Sequence, residues 1–294
     1  MAQTWLITGS ARGLGRALAE AVLEAGDNLV ATARAPEQLA DLVARFPNSV
    51  LATSLDVTDA DSAAHAVALA IDRFGTLDIL VNNAGYGDVA PIEGTSLDSF
   101  RRQIETNLFG TIIVSKAVIP LFRHQRSGRL IQISSIGGRA GAIGRGAYSA
   151  AKFGVEGFSE VLAQELEPFG VHVSIVEPGG FRTDFAGAST KIEDGDPDYA
   201  GTVGAIAARQ RAYNGHQPGD PAKAAKAILA LAALPAPPLR LVLGSDAFGR
   251  AELTDRARMD ELQQWRSLSC STDFETGWPE KLSPKRLPNQ EHLS

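Results

Sequence analysis

Short apolar runs rich in β-forming residues alternate with longer Ala- and Leu-rich segments along most of the chain. Residues 4–8 (Thr-Trp-Leu-Ile-Thr) form the first run. Gly9-Ser10-Ala11-Arg12-Gly13-Leu14-Gly15 follows, and an Ala/Leu/Glu-rich segment continues to Ala25. This order predicts a strand, a glycine turn and a helix. A second strand is predicted over 28–33. A third βα unit spans 50–74, with Thr58 and Asp59 as its N-cap. A fourth strand spans 77–81, and one long helix spans 97–124, weakened by Gly110 and Pro120. Asn107 falls mid-helix, where a side-chain amide is unfavourable and needs compensation. A fifth strand covers 129–133. The helix from Tyr148 to Glu167 is Ala-rich and free of proline. The sixth strand, 171–176, is uncharged except at its ends and reads as buried on both faces. A helix over 221–234 and a seventh strand over 239–243 complete the series.

The repeated βα order predicts an α/β, doubly wound (Rossmann) seven-stranded parallel sheet with helices on both faces. Ligands of such sheets bind beyond the C-terminal strand ends, near the point where the strand order reverses. The pattern assigns 1–244 to a dinucleotide-binding catalytic domain. Within it, the Gly/Asp/Ala-rich stretch 190–219 is a candidate substrate lid. Residues 245–294 form a C-terminal helical extension, read as one charged helix over about 248–268 and a Pro-containing tail.

Composition narrows the class. The chain has 294 residues, is 44% apolar and carries a net charge of −6. That balance fits a globular core and argues against a nucleic-acid surface. Cys270 is the only cysteine, so no intrachain disulfide forms. No uninterrupted apolar run reaches the roughly 18–20 residues that span a bilayer, and the N-terminus enters a strand directly. The expectation is a cytoplasmic protein with no membrane partner.

Chemistry-bearing residues gather at the predicted strand ends. The glycine turn permits close backbone approach, and the following helix N-terminus offers free N–H groups to an anion such as a pyrophosphate. The second strand ends in Ala33-Arg34, without the carboxylate that commonly holds ribose hydroxyls. Arg34 and Arg12 instead suit a 2′-phosphate, and so NADP over NAD. Asp56 can accept from an adenine amino group beside Val57, or serve as a turn aspartate. Asn82-Asn83-Ala84-Gly85 can stitch a loop over the cofactor. Ser134 to Gly138 follow the fifth strand. Tyr148 and Lys152 lie one helical turn apart, which brings an ammonium towards a phenol and lowers its pKa from about 10.

Thr8-Gly9-x-x-x-Gly13-x-Gly15, Asn82-Asn83-Ala84-Gly85, Asn107, Ser135, Tyr148-x-x-x-Lys152 and Pro178-Gly179, in this order over roughly 4–244, closely resemble the classical short-chain dehydrogenase/reductase family. The resemblance implies hydride transfer between NAD(P)(H) and a carbonyl or secondary alcohol carbon of a small molecule. It implies a catalytic set of Ser135, Tyr148 and Lys152, with Asn107 holding a water. It implies cofactor contacts at Gly9, Ser10, Arg12, Gly13, Leu14, Gly15, Arg34, Asp56, Val57, Asn83, Ala84, Gly85, Tyr148, Lys152, Pro178, Gly179, Phe181 and Thr183. It also implies a homodimer or homotetramer built on the apolar surfaces of the helices containing Leu108 and Phe153. Tyr86, Ile143 and Phe185 are candidate pocket residues. Arg139, Arg145, Phe181 and Tyr213 are further candidates, the two arginines as solvated side chains or as a steering charge for an acidic substrate. Two rival functions are a dinucleotide-binding regulator without activity, and an epimerase or dehydratase using the same Tyr/Lys pair. The intact catalytic set opposes the first. The glycine turn, which is not T-G-x-x-G-x-x-G, opposes the second.

Overall fold

The structure is a computed structural model, and it describes residues 2–187 and 190–274. Strand β1 (Thr4–Ile7) is buried throughout and leads to helix α1 (Gly13–Glu24). Then come β2 (Asn28–Ala33), a short α2 (Ala40–Arg45), β3 (Val50–Ser54), α3 (Ala60–Phe74) and β4 (Ile79–Asn82). Helix α4 (Leu97–Ile104) and α5 (Gly110–Gln125) precede β5 (Gly128–Ile133), α6 (Gly146–Leu166) and β6 (Val171–Pro178). The series continues with α7 (Ala205–Tyr213), α8 (Pro221–Ala233), β7 (Arg240–Leu243), α9 (Ser245–Gln264) and α10 (Arg266–Cys270).

All seven strands pair in parallel in the order β3-β2-β1-β4-β5-β6-β7. The order reverses at β1, whose neighbours are β2 and β4, so a crevice opens beyond the C-terminal ends of these strands. Alternation along each strand divides the core into two layers. Trp5 and Ile7 join Leu18 and Val22 of α1 and Ile228 of α8 on one face. Leu6 joins Ala66 of α3, Val114, Val118 and Phe122 of α5, and Leu162 of α6 on the other. Burial of this kind stabilises the fold by roughly 25 cal/mol per Å² of apolar surface.

Three elements differ from the sequence pattern. The helix over 97–124 is continuous but not uniform, because a π-helical turn, Glu105–Phe109, separates α4 from α5. By length and composition alone the helical run Leu97–Gln125 is sufficient to cross a membrane, which a search for uninterrupted apolar runs does not register. Val114, Val118 and Phe122 of that run are fully buried in the second core layer. The stretch 190–219 carries a π-helical turn, Ala200–Gly204, and α7. Val203 and Ala207 pack on Val89, and Val89 also bridges to Ile192. In the C-terminal part, the charged helix starts at Ser245, earlier than its pattern suggests, and breaks after Gln264. By contacts, the described residues up to Phe248 form one compact unit and those from Gly249 another. The predicted Pro-containing tail lies outside the described residues from 275 onward.

Candidate active site

At the end of β1 the chain turns through Gly9 and Gly13 at φ +70° and +60°, a region that glycine occupies without steric cost. A Cβ on Gly15 would lie 2.3 Å from the Gly9 carbonyl oxygen and 2.4 Å from Asn83 Nδ2. The Asn83 side chain donates to the carbonyls of Thr8 at 2.9 Å and Gly9 at 3.2 Å. The backbone N–H groups of Asn83 and Ala84 both donate to Thr8 Oγ1 at 2.9 Å. The loops after β1 and β4 are thus laced into one floor. Helix α1 begins without a side-chain cap, so its first N–H groups are available to an anion. Ser10, in the expected cofactor set, lies inside the turn. It is fully buried, its hydroxyl donates to the Ile7 carbonyl at 2.8 Å, and its N–H donates to the Thr32 carbonyl at 2.8 Å. These bonds brace the turn.

Arg12 and Arg34 are both exposed, and neither has a carboxylate within ion-pair distance among the described residues. Asp56 Oδ1 accepts from the Thr58 N–H at 3.0 Å and the Thr58 hydroxyl at 2.8 Å, so this oxygen serves the turn. These bonds, with a smaller contribution from the Arg34 charge, hold its carboxyl below the usual range. Val57 is buried beside it.

Deeper in the crevice stand Ser135, Tyr148, Lys152 and Asn107. Ser135 caps the turn Ile136–Gly138, its Oγ accepting from the Gly137 N–H at 3.0 Å. The Ser135 hydroxyl also reaches the Pro178 carbonyl at 3.5 Å. Tyr148 and Lys152 are one turn apart on α6 and both buried. Lys152 Nζ lies 5.8 Å from the Tyr148 ring centre and donates to the Ile133 carbonyl at 2.7 Å. The Phe185 ring tilts against Tyr148 at 5.6 Å. Asn107 sits in the π-helical turn, where its Nδ2 donates to the carbonyls of Tyr86 and Gln103, both at 2.8 Å. Its Oδ1 accepts from the Tyr86 N–H at 3.1 Å. These bonds offset the cost of a mid-helix amide and hold the loop after β4 against the helix.

The expected electrostatics of Tyr148 need correcting. Burial pushes its phenol above its ordinary value, opposed by the Ser135 hydroxyl and then by Arg145. Lys152 is itself lowered to about 8 by burial, with Glu156 opposing. Its bond to Ile133 directs the ammonium to the backbone, so lysine alone does not bring the phenol down.

The family model described as short chain dehydrogenase matches residues 3–194. The chain belongs to the short-chain dehydrogenase/reductase family. Its relatives include an oxidoreductase, BOA17, of Botryotinia fuckeliana, 45% identical over 273 residues that cover 92% of this chain and 100% of that one. A crystal structure of a short-chain dehydrogenase from Streptomyces avermitilis superposes with a TM-score of 0.86 at 41% identity, covering 93% and 99% of the two chains. A short-chain dehydrogenase from Burkholderia cenocepacia, solved in complex with NADP, superposes with a TM-score of 0.71 at 26% identity, covering 89% and 96%.

In this member of the family several candidate pocket residues have other roles. Arg139 is neither solvated nor a free steering charge. Its Nε and Nη2 each donate at 2.9 Å to the fully buried Glu177 carboxylate. Arg240 lies 3.3 Å from the same carboxylate and 2.9 Å from Glu156, so β6, β7 and α6 are tied by buried charge. Arg145 is half-buried and donates to the Gly87 carbonyl at 2.7 Å. Ile143 is 54% exposed and lines no part of the main cavity. Phe181 bridges to Gly219, and Thr183 lies beside Gly13. Tyr213 packs near Gly180, whose N–H donates to Asp246 Oδ2 at 2.7 Å and so fixes the loop after Gly179. Tyr86 lines a cavity of about 440 Å³ with Ile92, Phe100, Arg102, Gln103 and Lys191. That cavity opens beside the first turn of α6, but neither Ser135 nor Tyr148 is in its wall.

The partners of Asn82 escape sequence reasoning. Asn82 Nδ2 donates at 2.9 Å to both Ser115 Oγ and Gln132 Oε1, a polar knot inside the second core layer. Gln132 lies in a strand that reads as apolar. Glu156, four residues beyond Lys152, carried a signal in that spacing alone.

Proposed function

We propose that this enzyme is an NADP(H)-dependent oxidoreductase of the carbonyl reductase or alcohol dehydrogenase type. The observation that carries the reading is the convergence of Ser135, Tyr148 and Lys152 beside the laced floor of Thr8, Gly9 and Asn83. The residues present fit a dinucleotide. Gly13, Leu14 and Gly15 and the uncapped start of α1 would hold the pyrophosphate. Asp56 and Val57 would hold the adenine, and Arg12 and Arg34 the 2′-phosphate. Lys152, the Ala84-Gly85 and Pro178-Gly179 loops, Phe181 and Thr183 would hold the nicotinamide end. When bound, the nicotinamide supplies or accepts the hydride. The Ser135 hydroxyl donates to the substrate oxygen and stabilises charge developing there. Tyr148 Oη gives that oxygen a proton in reduction and takes it in oxidation. Asn107, through its bonds to the Tyr86 backbone, sets the loop that borders the site. The substrate is a small carbonyl compound or alcohol, and the compartment is the cytoplasm.

Cofactor preference tests the phosphate end. Two unpartnered guanidinium groups and no carboxylate at Ala33 favour NADP by roughly tens- to a thousandfold, after discounting for exposure. Arg34→Ala weakens NADP and leaves NAD nearly unchanged, and Ala33→Asp reverses the preference. Steady-state kinetics with both cofactors measures this, and equal efficiency in the unmutated enzyme contradicts it.

The exposed side chains of Phe109 and Phe153, with Val161 on the same helix as Phe153, support pairing of these helices in a homodimer or homotetramer. Light scattering is expected to give a multiple of the 31.0 kDa chain mass; a monomer at working concentration removes the assembly.

A further inference from the structure

Tyr148, Lys152 and Glu156 fall four residues apart on one buried face of α6, and Arg145 is the residue that immediately precedes its first turn. Two cations stand near the Tyr148 ring. Its centre is 5.9 Å from Arg145 Cζ and 5.8 Å from Lys152 Nζ. The two are held differently. Lys152 is committed to the Ile133 carbonyl. Arg145 reaches across to the loop after β4 and donates to the Gly87 carbonyl at 2.7 Å, which also accepts from Thr190 Oγ1 at 2.9 Å. A Cβ on Gly87 would lie 2.6 Å from Tyr148 Cδ2 and 3.1 Å from Arg145 Nη1, so the ring, the guanidinium and this loop meet without spare room. Among the described residues no carboxylate is within ion-pair distance of Arg145. The acidic group that acts on it is Asp88, whose Oδ1 is occupied by the Lys191 N–H at 3.0 Å.

We propose that Arg145 is a positioning residue for Tyr148, a second cation that favours the phenolate while its bond to Gly87 holds the loop against the ring. The proposal rests on Tyr148 being the general acid/base. The groups facing the phenol are few. Lys152 comes from its own helix, Arg145 from the N-cap just before that helix, and the Ser135 hydroxyl from the loop after β5. The uncharged Phe185 ring comes from the segment after β6, and the Gly87 backbone from the loop after β4. Lys152 loses its charge as pH rises through about 8. A guanidinium keeps its charge across the working range, so Arg145 is the cation still present where the phenol ionises.

The test separates charge from bracing. Arg145→Gln keeps a donor for the Gly87 carbonyl and removes the charge, whereas Arg145→Lys keeps the charge. Tyrosinate formation is followed by ultraviolet difference spectroscopy on the full chain, with Tyr148→Phe identifying the signal of Tyr148 among the four tyrosines. The pH profile of alcohol oxidation is recorded alongside. Arg145→Gln is expected to move both midpoints to higher pH and to lower kcat/KM near neutrality by roughly tenfold. Arg145→Lys is expected to stay within about twofold of the unmutated enzyme. Unmoved midpoints in Arg145→Gln, or equal impairment of Gln and Lys, would overturn the proposal and leave Arg145 as a loop brace. If Tyr148→Phe retained full turnover, the general acid/base reading would fail, while the spectroscopic midpoint would still judge the Arg145 charge.

Discussion

Tyr148→Phe is expected to lower turnover by roughly 10²–10⁴-fold while NADP binding stays within a few-fold. The substitution keeps the ring, so the Phe185 contact and the close fit against Gly87 persist. What disappears is the oxygen proposed to exchange a proton with the substrate. Stopped-flow rates and a cofactor titration on the same preparation measure the two halves of the claim. A near-normal rate would mean that another group moves the proton. A large loss of NADP affinity would mean that the hydroxyl serves binding more than chemistry.

Lys152→Met is expected to cost roughly a hundredfold or more in kcat/KM and, unlike the tyrosine variant, to weaken NADP as well. In the proposed reading the ammonium works with Tyr148 and also holds the nicotinamide end, so its loss would reach both. Its pH behaviour is distinctive because burial sets the folded value near 8, against 10.5 in the unfolded chain. Below about 8 the group is protonated in both states, and the cost of burying the charge is fully present. Between about 8 and 10.5 the folded protein has released the proton and the unfolded chain has not, so stability rises with pH through this group. The unmutated enzyme should therefore gain stability relative to Lys152→Met across that window, as followed by denaturant melts. Activity should move the other way and decline as the ammonium is lost. A stability difference independent of pH would mean that Lys152 is not buried as a charge.

Much of the frame was legible because the relevant interactions are local. Thr4 to Gly15 pass from a strand to a glycine turn to a helix, and the spacing of Tyr148 and Lys152 survives as adjacency on α6. What escaped is non-local. The cost of Asn107 in a helix was visible, but its compensation comes from the Tyr86 backbone and a π-helical turn, which no local pattern encodes. Arg139 looked like a loop cation because its partner, Glu177, sits at the end of another strand. The turn motif carries no information about which way the Ser10 hydroxyl points, and it donates to the Ile7 carbonyl. The helix over 205–213 was hidden by the Gly- and Asp-rich stretch around it, and it is held by Val203 and Ala207 packing on Val89.

The most direct test of the proposed reaction is isotope transfer. The enzyme is incubated with a panel of ketones and aldehydes and NADPH deuterated at the nicotinamide carbon that gives up the hydride, and the products are read by mass spectrometry. At least one carbonyl should return as an alcohol with one deuterium on its carbinol carbon, in step with loss of the reduced cofactor, and Tyr148→Phe should suppress it. Tight NADPH binding with no deuterium delivered to any member of the panel would contradict hydride transfer to a carbonyl.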